Sequence, residues 1–544
     1  MALASGSDDT IAGALRTAAT TSPTTLALVG ADGTAMSYAE LFEESLSVAA
    51  GLIAIGVAPG DRIGLWAPNS PEWAVAHMAV LMAGAAVVPL NTRYTIVETT
   101  DIVARAGCRI VFAANDFNGR AYAAEGAAAW PTTTVVTIGG DSPNALGMSE
   151  FADASGRRVD AETRLNQLLP DDISHVQFTS GTTGRPKGAM LRHGASVRTS
   201  RAWIANCGLV EGDRYPVVAP FSHLGGHKTG LLACLLARAT AFPVAMFDVR
   251  ELADMIRNHG LTFMQGPPTM FRALVELARS DGAPLSSVRV CVTGASVVPP
   301  SLVRDLRTVL GAPVVLTAYG LTESTGVCCM TRPGDDVDTV ATTTGRPLPG
   351  IELRTVHPDG SDAGTDERGE VLVRGASVMA GYLDDSSATE RAIRDGWLHT
   401  GDVGVLDANG RLRIVDRLTD MVVVGGLNVY PAEIEHALLD HPDVVAVAVI
   451  GIADERLGEV PAAFVVVGPA ISNVDDALRT WCARRLAKFK IPRHFFATDE
   501  LPVNAAGKVS KPELREQAAT RVAALDATRT GAAVTATATT GSDR

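Results

Sequence analysis

Apolar blocks separated by Gly, Pro and Asp recur along most of the chain at the spacing of alternating strands and helices. Ile63 to Ala67 reads as a strand and Pro71 to Met82 as a helix, so the pattern predicts an α/β fold of parallel sheets covered by helices. One apolar run, Trp73 to Leu90, has 18 residues that are almost all apolar or small, the length of a short membrane span. His77 interrupts it, Gly84 breaks it, and Val87-Val88 before Pro89 favour a sheet. It therefore reads as a helix that ends at the glycine and passes into a strand. The pattern changes near Asp416. Downstream, Val422-Val423-Val424 reads as a strand, and Pro431 suits the first position of a helix whose Glu433 and Glu435 lie toward the positive end of its dipole. A smaller α+β domain is expected there. From about Asp526 the sequence is rich in Ala, Thr and Gly with almost no large apolar residue, which predicts a disordered tail.

A chain of 544 residues exceeds what one core usually supports, so two or more domains are the default. A net charge of -13 argues against nucleic acid as a partner, and acidic substrates would have to be drawn in by local basic groups. The seven cysteines are odd in number and lack metal-ligand spacing, so they read as reduced thiols of a cytoplasmic protein, with Cys328-Cys329 in the core. No secretory segment is legible at Met1 to Thr10, and no integral membrane segment is expected.

The segment Thr179-Ser180-Gly181-Thr182-Thr183-Gly184-Arg185-Pro186-Lys187-Gly188 concentrates hydroxyls, glycines and one lysine as a polyphosphate ligand requires. Glycines let backbone N–H groups turn toward an anion, hydroxyls add donors, and Lys187 supplies a point charge. The common NTPase loop has Gly-Lys-Ser/Thr after a four-residue spacer. Here no Ser or Thr follows the lysine, so a different nucleotide chemistry is implied. Val176 to Phe178 and Ala189-Met190-Leu191 flank the segment as apolar stretches, which predicts a hairpin with this loop at its tip. By composition alone such a run is as readily a flexible surface loop.

This segment closely resembles the signature of the AMP-forming acyl-CoA synthetases, within the adenylating superfamily that includes luciferases and peptide-synthetase adenylation domains. Four further segments resemble that family's motifs in the family's order, and the resemblance covers about Ser37 to Glu513. They are Tyr319-Gly320-Leu321-Thr322-Glu323, Gly396 to Asp402, Asp416 to Gly426, and Pro502 to Lys511. The resemblance implies a large N-terminal body of two sheet-bearing subdomains and a small β-barrel over residues 1–416. It also implies a mobile α+β lid over 417–525, ahead of the tail at 526–544. Carried over residue by residue, it gives catalytic roles to Lys508, Glu323 and Lys187. Nucleotide contacts fall to the loop from Thr179 to Gly184, and to Gly294, Ala295, Ser296, Ala318, Tyr319, Gly320, Thr322, Asp402, Arg417, Gly425 and Gly426.

Mg²⁺ would be held by Thr179 and Glu323, with ATP and CoA as co-substrates. The Tyr319 ring would stack on adenine, Asp402 would accept from the ribose hydroxyls, and Lys508 would bridge the acyl carboxylate and the α-phosphate. Thr419 stands at the hinge where most relatives carry Lys or Asp, which puts a charged hinge side chain in doubt but not the hinge itself. Pro220 to Gly226 matches the segment lining the acyl channel, with His223 as a gate against the Gly294-Ala295-Ser296 turn, and with Gly294 and Gly320 beside the acyl group. No Asp occurs between Ala219 and Gly230, where amino-acid activators place one, so an acyl group uncharged beyond its carboxylate is expected. Pro89 to Thr95, Leu316 to Gly320 and Ala341 to Pro347 resemble the actinobacterial ligases that activate the bicyclic propanoate left from steroid rings C and D. A fatty acyl chain is the other expectation.

Two competing readings remain at the level of sequence. A carrier-protein-dependent acyl-AMP ligase would use the same first step, although no carrier domain follows Lys511. A nucleotide-binding protein without ligase activity would have no use for Lys508. A homodimer is compatible with the resemblance.

Overall fold

The computed structural model describes residues 9–142, 144–153, 158–179, 186–282, 284–294, 298–418, 420–425, 427–454, 456–469, 471, 473–504 and 508–538. The chain divides into two compact units. The first comprises residues up to Thr400 together with Val405–Arg413, and the second comprises Gly401–Gly404 and everything from Ile414 onward.

The first unit is built on an eight-stranded sheet. Its order is Gly381–Tyr382, Lys187–Arg192, Ile173–Thr179, Ala86–Pro89, Arg62–Trp66, Ile110–Ala114, Thr134–Ile138 and Leu146–Gly147. From Ile173–Thr179 onward the strands are parallel, and the first two form an antiparallel edge. All five residues of Ile110–Ala114 are buried, as a parallel strand covered on both faces requires. A second sheet aligns Phe263–Gln265, Val290–Gly294 and Val314–Tyr319 in parallel, and then adds Cys329–Met330 and Arg346–Pro347 antiparallel. Four strands, Arg214–Val217, Thr240–Pro243, Leu26–Val29 and Ala35–Ser37, make a third sheet. Ile351–Val356, Arg368–Gly375, Trp397–Leu406 and Ile393–Arg394 make a fourth, and Leu412–Arg417 pairs with Trp397–Leu406.

The run from Trp73 to Leu90 folds as expected. Ser70 accepts a hydrogen bond from the Trp73 N–H at 3.1 Å, Pro71 opens the helix Pro71–Met82, and every residue from Trp73 to Met82 is buried. Gly84 turns with φ +79° into the strand Ala86–Pro89. Among the described residues no helix is long and apolar enough to cross a membrane.

The second unit carries a five-stranded sheet. Leu427–Val429, Val422–Val424, Gly458–Val467 and Val444–Asp454 are antiparallel neighbours, and His494–Ala497 runs parallel to Gly458–Val467. One face packs Val422, Val424, Val449 and Val465 against Ile434, Leu438 and Leu478 of the helices Pro431–Leu439 and Val474–Ala483. The other face packs Ile450, Phe464 and Phe496 against Leu514 and Ala518. These last two belong to a helix that continues from Lys511 to Ala538, across the point near Asp526 where a disordered tail was expected. Alanine is the strongest helix former, so lacking large apolar residues removes a reason to pack but not a reason to coil. Residues 539–544 of the expected tail lie outside the described residues.

Candidate active site

The predicted hairpin is present. Ile173–Thr179 and Lys187–Arg192 pair antiparallel with Thr179 opposite Lys187, and the Thr179 hydroxyl donates to the Lys187 carbonyl at 3.4 Å. Ser180, Gly181, Thr182, Thr183, Gly184 and Arg185 at the tip lie outside the described residues. The exit from the tip is held by Arg105, which the sequence did not flag. Its guanidinium donates to the Pro186 carbonyl at 2.7 Å and lies 5.4 Å from the centre of the Phe178 ring.

Lys187 Nζ stands 5.2 Å from the centre of the Tyr382 ring, and the Tyr382 hydroxyl donates to Glu323 Oε1 at 2.8 Å. Burial, and then the adjacent Glu323 carboxylate, hold the Tyr382 phenol well above its ordinary range, so its O–H remains a donor at neutral pH. Glu323 sits in the short turn Thr322–Ser324 that follows the strand Val314–Tyr319, and its carbonyl accepts from the Met379 N–H at 2.8 Å. Tyr382 therefore joins the edge of the eight-stranded sheet to the second sheet and links two sequence-predicted residues, Lys187 and Glu323. Its only signal in the sequence is a Gly-Tyr pair ahead of Asp384-Asp385. Tyr382→Phe is predicted to lower kcat/KM for nucleotide activation roughly 10-fold, the order of one hydrogen bond to a charged group. A purely structural tyrosine would instead lower the melting temperature and leave the activity of the folded fraction intact.

Gly294, Ala318, Tyr319 and Gly320 stand at the carboxyl ends of adjacent parallel strands, where open α/β sheets bind ligands. Gly294 and Ala318 are register partners, and a Cβ on Gly294 would lie 2.4 Å from the Ala318 carbonyl oxygen. A Cβ on Gly320 would lie 1.7 Å from the Gly326 carbonyl oxygen, so this turn closes only around glycine. Ala295 and Ser296 lie outside the described residues.

The segment Pro220 to Gly226 leads into a three-residue helix, Leu224–Gly226, and then a π-helical turn, His227–Leu232. The expected gate, His223, uses Nδ1 to accept from the Gly225 N–H at 3.1 Å and so caps this turn. Behind it lies a buried row of imidazoles. His77 and His175 approach Nε2 to Nε2 at 2.9 Å, His175 stacks on His227 at 4.5 Å, and His227 Nδ1–H donates to the Phe221 carbonyl at 2.9 Å.

The remaining predicted residues belong to the second unit. Asp402 is buried, with Oδ1 3.1 Å from Arg417 Nε, so two predicted nucleotide contacts form one ion pair. Asp416 accepts from the Arg417 N–H at 2.7 Å and the Ala432 N–H at 3.0 Å, which caps the helix Pro431–Leu439, and burial raises its carboxyl above the ordinary range. Lys508 is exposed in a loop closed by Asn504, whose Oδ1 accepts from the Lys508 N–H at 3.1 Å and whose N–H donates to the Lys508 carbonyl at 2.7 Å. Gly425 has φ +56° at the turn after Val422–Val424. Gly426 and Thr419 lie outside the described residues.

All seven cysteines are buried as free thiols, with Cys328 and Cys329 in the core as expected. Among the described residues no group of three or more His, Cys, Asp or Glu is placed to hold a metal. A single carboxylate such as Glu323 fits Mg²⁺ of the kind held mainly by water and substrate phosphates, not a closed protein cage.

A strand pair ending at Thr179 and Lys187, Glu323 linked to Lys187 through Tyr382, and glycines at the carboxyl ends of parallel strands fit an enzyme that activates a substrate with a nucleotide. The chain belongs to the AMP-binding enzyme family: the model of that family matches residues 15–383, and that of the AMP-binding enzyme C-terminal domain matches residues 433–508. It is an acid-thiol ligase of the acyl-CoA synthetase type. It is 46% identical over 480 residues, 88% of this chain and 93% of the relative, to a Mycobacterium tuberculosis CoA ligase for a propanoyl group on a 7a-methyl-1,5-dioxo-octahydroindene. A ligase of the same name from Rhodococcus jostii is 42% identical over 89% of this chain and 94% of its own. Among solved structures, o-succinylbenzoate CoA synthetase from Bacillus subtilis with its acyl-adenylate intermediate superposes with a TM-score of 0.79 at 29% identity, covering 93% of this chain and 97% of that one. The same synthetase is known with ATP and a magnesium ion.

Proposed function

We propose that this protein ligates CoA to a bicyclic, ketone-bearing propanoate by way of an acyl-adenylate, with Mg²⁺ as the metal. The observation that carries the first step is the Lys187–Tyr382–Glu323 chain at the root of the phosphate segment. A carboxylate is a weak nucleophile approaching a polyanion, so fixed positive charge and donors must stand where charge develops. One carboxylate oxygen of the substrate attacks the α-phosphorus, pyrophosphate leaves, and the acyl carbon becomes bonded to AMP. The CoA thiol then attacks that carbon through a tetrahedral oxyanion, AMP leaves, and a thioester forms. Mg²⁺, when bound beside Glu323 and Thr179, supplies neutralising charge for the phosphates.

Lys187 supplies charge near the phosphates, Asp402 with Arg417 holds the ribose, and Lys508 brings charge from the second unit. In this reading the second unit turns about the segment near Thr419, so that Lys508 serves adenylation and the turn around Gly425 serves thioester formation. The acyl class is supported by the names of the Mycobacterium and Rhodococcus relatives. A carrier-dependent acceptor is not favoured, since these relatives are CoA ligases.

Mixing the protein with ATP, Mg²⁺ and linear, aryl or bicyclic propanoates, and following pyrophosphate with and without CoA, tests the reading. Turnover is expected with the dioxo bicyclic acid and only when CoA is present. Multiple turnover with linear acids alone would reassign the acyl class, and a single turnover despite CoA would point to a carrier acceptor.

A further inference from the structure

Lys228 stands second in the π-helical turn His227–Leu232, immediately after the segment expected to line the acyl channel. Its residue exposure is 1%, and it is among the largest fully buried side chains of the protein. Among the described residues Nζ has no hydrogen-bond partner. A Cβ built on Gly326 would lie 3.5 Å from Lys228 Nζ, 3.7 Å from its Cδ and 3.8 Å from Leu224 Cβ, so the amine ends beside the backbone of Gly326 with an aliphatic wall next to it. Gly326 closes the same loop that carries Glu323, and Gly320 packs onto its carbonyl. The amine therefore reaches one end of the loop whose middle bears the candidate adenylation carboxylate.

Among the described residues no carboxylate acts on Lys228. Burial dominates and draws its amine down to about 7, with the Cys328 thiol opposing that shift. His227 and His175 also couple to Lys228, and burial holds both imidazoles below their ordinary range. A buried amine without an acceptor is among the costliest arrangements in a protein interior, and π-turns are frequent at functional sites. Both protonation states of the amine donate N–H, so the missing partner is an acceptor oxygen. It has to come from a molecule that is otherwise apolar enough to lie against Leu224 and Gly326.

We propose that Lys228 is the donor that selects the acyl group, its Nζ donating to a ring ketone oxygen of a carbocyclic propanoate. This rests on the ligase reading above, and the 1,5-dioxo bicycle named for two relatives carries such oxygens. A site built to hydrogen-bond an oxygen rejects the analogue that lacks it, because the donor is then left unpaired.

The test compares wild type, Lys228→Met and Lys228→Gln on two acids, the dioxo-octahydroindene propanoate and the same bicycle without its ketones, by pyrophosphate release. Wild type is expected to favour the dioxo acid. Lys228→Met should lose roughly 10- to 100-fold in kcat/KM on the dioxo acid while holding or gaining on the deoxo acid. Lys228→Gln, which keeps an N–H donor, should restore part of the preference. The melting temperature of Lys228→Met should not fall, since an unpaired buried amine is replaced by an apolar chain of similar length. Equal loss on both acids would show a structural role or a contact to the reacting carboxylate, and would overturn the proposal. An unchanged ratio would overturn it too, while leaving the ligase reading standing. Wild type that activates neither acid would overturn the acyl reading and this inference together.

Discussion

Lys508→Ala is predicted to lower acyl-adenylate formation at least about 100-fold, while conversion of a supplied acyl-adenylate to the thioester stays within a few-fold of wild type. The asymmetry follows from what the lysine is for. Adenylation brings a carboxylate against a triphosphate, so a cation at the forming bond acts mainly in that transition state. The second step expels AMP from a neutral acyl carbon and gains little from it. Lys508 is suited to such a task because it is exposed and Asn504 holds its backbone N–H and carbonyl. Rates measured separately for the two half-reactions decide this. Equal loss in both would mean that Lys508 supports the fold or binding in general.

The second large effect concerns acid. His77, His175, His193 and His227 are all buried, and burial holds each below the ordinary imidazole range, His193 and His227 down to about 3. An unfolded chain protonates the same four side chains near pH 6.5. Their folded-state pKa values are depressed, and these groups carry charge when protonated. Their favourable contribution is therefore complete above about pH 6.5 and is lost as pH falls from there toward about 3, because only the unfolded chain binds protons in that window. Four protons give a slope of about 5 kcal/mol per pH unit, steep enough to unfold the first unit within a narrow range. Trp73, stacked on His77 with ring centres 5.0 Å apart, reports the event by fluorescence. Urea midpoints measured between pH 8 and 5 should fall steeply below pH 6.5, and His77→Phe should flatten that limb by about a quarter. A midpoint insensitive to pH, or a limb unchanged in His77→Phe, would contradict the assignment.

How much was legible in the sequence depended on the range of the interaction. The hairpin around Thr179 and Lys187 and the helix Pro71–Met82 are local patterns, and both stand where periodicity and capping place them. Tyr382 was not legible. Its role exists because a chain segment 59 residues from Glu323 joins the edge of the eight-stranded sheet, and no local spacing announces that pairing. Arg105 escaped for the same reason, 81 residues from the carbonyl it holds. Lys228 stands between His227 and Thr229 with no pattern to mark it, and only its burial in the folded chain distinguishes it. The helix from Lys511 runs on through the alanine-rich stretch to Ala538, where alanine content favours a helix even without large apolar residues.

The most direct test of the central claim is a quench of the enzyme with ATP, Mg²⁺ and the dioxo bicyclic acid in the absence of CoA, resolved by mass. One equivalent of acyl-AMP and of pyrophosphate per site is predicted, and adding CoA should convert it to acyl-CoA and AMP. ADP and phosphate, or acyl-CoA formed with no acyl-AMP on the path, would contradict the account.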